Sequence, residues 1–156
     1  MSLQTPPSSF APTWALHCTR FRGQTPPRAC LYLLADLRRG VALSAMLAEQ
    51  PLGRALASWL EAAAIGRVAP QAMQSTDLPS EQDRQALYAW IAAHDVVLEP
   101  QNPWGRSWKP VDQLLHSAWE SLGLAPGAFG EVPTWAGAQQ RLDLWFREHC
   151  QHVSGT

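Results

Sequence analysis

The chain alternates apolar runs with breakers rich in Pro and Gly, and most runs repeat at helical spacing. In PLGRALASWLEAAAIG, the residues Leu52, Leu56, Trp59, Leu60 and Ala63 return to one side of a helix, with Pro51 suited to its first turn and Gly66 to its exit. Ser80 is placed to cap SEQDRQALYAWIAAHD, whose first turn carries Glu81 and Asp83 and whose inner face carries Leu87, Trp90, Ile91 and His94. The most regular pattern is PVDQLLHSAWESLG, with Val111, Leu114, Leu115, Ala118, Trp119 and Leu122 in register and Gly123 as the stop. A last helix, TWAGAQQRLDLWFREHCQH, presents Trp135, Ala138, Leu142, Trp145, Phe146 and His149 on one face.

The first third is less regular. PTWALHCTRFRG reads as a short helix from Thr13 to Gly23, although the alternation of Trp14, Leu16 and Cys18 also permits a strand. RACLYLLADLRRG is apolar all round from Ala29 to Ala35, the pattern of a central core helix, with Arg38 and Arg39 in its last turn and Gly40 as its stop. VALSAMLAEQ follows as a shorter helix ending before Pro51, and RVAPQAMQSTDLP reads as a loop. No pair of strands stands out. The expected class is therefore all-α: a single compact domain over residues 13–150 with five to seven helices in orthogonal or bundle-like packing. A Pro/Ser/Thr-rich flexible tail (1–12) precedes it and a frayed end (151–156) follows.

Composition sharpens this picture at one place. A chain of 156 residues with 46% hydrophobic and only 16% charged positions can bury a real core as one domain. It also holds eight Trp. Two of them, Trp104 and Trp108, stand in a loop broken by Pro100, Pro103, Gly105 and Pro110, beside Arg106 and Lys109. Trp and Arg are the residue types enriched at binding anchors, and flanking prolines lower the cost of ordering a loop. Trp104, Arg106, Trp108 and Lys109 are therefore the expected partner-binding residues. They point to a non-enzymatic bacterial accessory protein that binds another protein: an adaptor, assembly factor, inhibitor or immunity-type binder. The alanine strip Ala62–Ala64 offers a surface for a homodimer.

Two other readings draw on different residues. Asp112, His116 and Glu120, four apart, form a carboxylate–imidazole–carboxylate stripe on one helix, which His149, Cys150 and His152 could complete as a metal centre of an enzyme or metal-binding protein. The stripe lies opposite the apolar face and no second carboxylate-bearing helix matches it. The expectation is accordingly no catalytic set, no cofactor and no metal. Phosphate-loop, nucleophile-elbow and zinc-finger spacings are absent.

The third reading is a nucleic-acid-associated subunit using the Arg-rich N-terminal half. Residues 1–78 carry a formal charge of +3 and residues 79–156 carry −4, for a net −1. Eleven of the twelve cations are Arg, which reads as the bias of a GC-rich bacterial genome. A net charge near zero weighs against a general nucleic-acid binder. The segment after Arg38-Arg39-Gly40 offers only Ser44, Glu49 and Gln50 for reading bases. Nucleic acid is therefore not an expected partner. Three cysteines without CxxC spacing, no apolar run of membrane-spanning length and no signal-peptide pattern point to the cytoplasm, with no membrane partner.

Overall fold

The structure, a computed structural model, describes residues 12–20, 30–99, 108–122 and 135–150. The first three apolar runs are strands, not helices: β1 (Thr13–Arg20), β2 (Cys30–Asp36) and β3 (Val41–Ala48). They are followed by α1 (Ala55–Ala64), β4 (Ala72–Ser75), α2 (Glu81–Ala93), β5 (Val97–Leu98), α3 (Lys109–Leu122) and α4 (Trp135–His149). The strands form one mixed sheet in the order β3-β2-β1-β4-β5. β1 pairs antiparallel with β2 and parallel with β4, so β1 is the central strand.

The expectation of an all-α domain is thereby overturned, and the reason is visible in β2. All seven of its residues are buried. Cys30, Tyr32 and Leu34 face one apolar layer while Leu31, Leu33 and Ala35 face the other. A strand covered on both faces shows no polar alternation, and its apolar run cannot be told from a buried helix by periodicity. Leu and Ala favour helix locally, but here the sheet's long-range pairing prevails. β1 does alternate. Trp14 and Leu16 pack with α1 and α2, whereas Ala15 turns toward α3 and α4. The register shift between Leu34 and Ala35 lets β3 keep Leu43 in the first layer and Ala42 in the second.

Two layers of helices thus sandwich the sheet. One core joins Trp14, Tyr32, Leu34, Leu56, Leu60, Met73, Leu87 and Trp90. The other joins Leu31, Leu33, Leu47, Trp108, Val111, Leu122, Leu142 and Trp145. The four helices occur where the apolar spacing places them, and Ser80 caps α2 by accepting the Asp83 N–H at 3.1 Å. No helix among the described residues is long and apolar enough to cross a membrane. Residues 1–11 and 151–156, expected as a flexible tail and a frayed end, lie outside the described residues.

Candidate functional site

The parallel β1–β4 pair ends where the chain gathers its polar side chains. Leu16 is in register with Ser75, the Thr76 N–H donates to the Leu16 carbonyl at 3.0 Å, and the Cys18 N–H donates to Thr76 Oγ1 at 3.1 Å. β5 joins this end through the Glu99 N–H, which donates to the Met73 carbonyl at 2.8 Å. The carboxyl ends of parallel strands are where ligands of open sheets are held.

On the side facing α3, this end is closed by an indole. Trp108, only 4% exposed, donates its Nε1–H to Gln74 Oε1 at 2.6 Å and sets its ring 6.4 Å from that of His17. His17 Nε2 is hydrogen-bonded to Thr19 Oγ1, and its Nδ1 is buried with no partner among the described residues. Burial pushes the His17 pKa below its ordinary 6.5, and the negative charge of Asp112 opposes that shift. The imidazole is therefore neutral near pH 7: a charged ring would bury a second N–H without an acceptor.

Two concavities of about 390 Å³ each flank this closed centre. Asp77, Arg84, Tyr88, Leu98 and Glu99 line the first, which opens beside α2. Arg84 donates to Glu81 Oε2 from Nε (3.0 Å) and Nη2 (2.6 Å). Its guanidinium is held above its usual pKa by that bond first and by Asp77 among the nearby charges. Lys109, Asp112, Gln113, His116, Ser117 and Glu120 line the second, which runs along α3. There His116 Nε2 and Glu120 Oε1 meet at 2.9 Å with both side chains well exposed, an ion pair along one helix when the ring is charged. No group of three His, Cys, Asp or Glu among the described residues could hold a metal ion.

A third feature is basic. The β2–β3 turn is tied by Asp36, whose Oδ1 accepts the Arg38 and Arg39 N–H groups at 3.0 Å each and whose carbonyl accepts the Gly40 N–H at 2.9 Å. Gly40 has φ +67°, and a Cβ built there would lie 2.7 Å from Pro110 Cβ. The turn thus rests on the first turn of α3. That contact brings exposed Arg38 and Arg39 beside the segment carrying exposed Lys109, residues about seventy apart in sequence.

Of the residues expected to bind a partner, Trp108 is a core residue and Lys109 is exposed, while Trp104 and Arg106 lie outside the described residues. Asp112, His116 and Glu120 share the α3 groove. His149 stacks on Trp145 with centroids 4.7 Å apart and bonds its carbonyl at 2.8 Å, as a residue of a last helical turn does, and His152 lies outside the described residues. Ala63 and Ala64 pack against the core while Ala62 is exposed. Sequence reasoning missed His17 and Gln74. The signal for His17 was the same Trp14/Leu16/Cys18 alternation, which as a strand sends His17 and Thr19 to the opposite face.

No protein-family model and no curated protein matches the sequence. Solved structures do. The catalytic core domain of BIV integrase superposes with a TM-score of 0.60 at 12% identity, covering 87% of this chain and 81% of that one. The HTLV-2 integrase catalytic core domain in complex with magnesium gives 0.54 at 10% identity, covering 88% and 84%. The catalytic domain of Mos1 mariner transposase gives 0.56 at 14%, covering 95% and 75%. These neighbours overturn the protein-binding adaptor reading and the expectation that nucleic acid is not a partner. At such low identity the likeness establishes a fold, the RNase H-like fold of integrase and transposase catalytic cores.

Proposed function

We propose that this chain is a nucleic-acid-associated domain that holds the sugar-phosphate backbone on the basic ridge formed by Arg38, Arg39 and Lys109. The observation that carries this reading is the Gly40–Pro110 contact, which joins two cationic segments on a domain with net charge −1. Fold alone does not assign function, so the site must supply it. Guanidinium groups held on a tied turn suit phosphate oxygens, and contacts of this kind position a duplex without reading its sequence. The neighbours support the reading by what they are: an integrase core and a transposase catalytic domain. The cytoplasm is the proposed location, since Cys18, Cys30 and Cys150 form no disulfide among the described residues.

The HTLV-2 core was solved with magnesium, which raises whether this chain's residues fit such an ion. Magnesium takes oxygen donors in near-octahedral geometry and keeps several of its waters. The strand ends here present a neutral imidazole under a buried indole, and Asp77 and Asp112 line separate concavities. The residues present do not fit.

The test is fluorescence anisotropy with a labelled DNA duplex across a potassium chloride series. Sequence-independent binding with a dissociation constant of about 10⁻⁴–10⁻⁶ M is expected. In Arg38→Glu/Arg39→Glu the salt slope should fall by about one per phosphate contact removed. A folded double variant that binds as wild type does would sink the proposal.

A further inference from the structure

We infer that this domain binds nucleic acid without a magnesium ion at the carboxyl ends of β1 and β4, so that the fold serves here as a metal-free holding surface. The inference rests on the nucleic-acid reading above and is carried by the placement of donors. The carboxylates near the strand ends are divided: Asp77 and Glu99 share the cleft beside α2 with Arg84, Asp112 lines the α3 groove, and no group of three His, Cys, Asp or Glu among the described residues could hold a metal ion. Asp77 opens into the cleft beside α2, where it acts on the Arg84 guanidinium. Asp112 opens into the α3 groove with Lys109 and His116. Glu99 accepts the Gln74 amide at 3.3 Å on the β5 side. Thr76 Oγ1 accepts the Cys18 N–H, and Thr19 Oγ1 is bonded to His17.

The α3-facing side of the strand ends is filled. Trp108 lies over the α3-facing side of β1 with its N–H fixed on Gln74, and His17 sits beneath it with a bare, buried Nδ1. A hydrated divalent ion needs room for its waters and oxygen donors converging on one point; an indole over an imidazole supplies neither. Segments outside the described residues add little to choose from. Residues 1–11, 21–29 and 100–107 contain no Asp, Glu, His or Cys, and residues 123–134 and 151–156 contain only Glu131 and His152.

Two measurements on the wild-type chain decide the matter. In the first, duplex binding is followed by anisotropy in EDTA and in magnesium chloride at matched ionic strength. Affinity no tighter with magnesium is expected, since the ion then acts only as a competing counterion; a tightening of about tenfold or more overturns the inference. In the second, manganese is titrated as a magnesium probe and followed by paramagnetic resonance, without nucleic acid. No stoichiometric site is expected. A one-to-one site abolished by Asp77→Asn or by Asp112→Asn overturns the inference whatever the duplex does. If no duplex binds in either buffer, the nucleic-acid reading itself fails, and the manganese titration alone then shows whether the strand ends hold an ion.

Discussion

Asp83 is fully buried, yet every oxygen it brings into the core is used. Its Oδ2 accepts the Tyr32 hydroxyl, and its Oδ1 accepts the Gly53 N–H at 2.6 Å and the Ser80 hydroxyl at 2.7 Å. The Tyr32 oxygen in turn accepts the Leu52 N–H at 2.9 Å. One carboxylate therefore ties β2, the start of α1 and the start of α2. Asp83→Ala leaves several buried donors unsatisfied at about 1–3 kcal/mol each, so a loss of about 3 kcal/mol or more is expected in urea unfolding. Tyr32 has its pKa raised, by burial first and then by its bond to Asp83. Its folded value lies above the unfolded value near 10, so its contribution is complete below pH 10 and is lost as pH rises beyond it. The alkaline fall in wild-type stability should be shallower in Tyr32→Phe. His17 runs the other way: with its folded pKa depressed, its contribution is complete above 6.5 and declines as pH falls below that value. An NMR titration should find the His17 midpoint below 6.5; a midpoint at or above 6.5 contradicts its burial.

At the scale of elements, α3 links the closed strand ends to the basic turn. Trp108, immediately before its first residue, packs its ring against His17 of β1, and its Pro110 sits against Gly40. Gly40→Ala would place a Cβ in a left-handed backbone and against a proline ring, and a loss of about 1–2 kcal/mol is expected by urea unfolding. Trp108→Ala, which removes a core indole, should cost about 3–5 kcal/mol in the same measurement. The helices were legible because an amphipathic helix writes its buried face into local spacing: Leu56, Trp59 and Leu60 in α1, and Val111, Leu114, Ala118 and Leu122 in α3, are buried as that spacing requires. Ser80 was legible for a similar reason, since a cap acts within one turn. The strands were not legible. β2 carries helix-favouring residues buried on both faces, and the four residues of β4 stand inside a segment whose Pro, Gln and Ser read as loop.

On the whole-molecule scale, the sheet order places β1 at the centre and its carboxyl end among residues from β4, β5 and α3. The two termini of that sheet are treated differently. β3 is an edge whose carbonyls are covered: Leu43 accepts from Arg67 at 3.3 Å, Leu47 from Gln139 at 3.0 Å, and Ala42 is bridged by Cys150. Such covering blunts an edge against stray pairing. Gln139→Ala should expose the Leu47 carbonyl, and faster amide exchange confined to the β3–α4 contact is the expected readout. The sequence by itself determined the four amphipathic helices, the capping of α2 and the excess of tryptophan, because each is written within a few neighbouring residues. Only the tertiary structure decided that Leu- and Ala-rich runs pair as strands and that Gly40 of the β2–β3 turn meets Pro110 of α3. It alone also decided that His17 lies neutral beneath Trp108, because pairing and burial join residues far apart in the chain, where no local period records them.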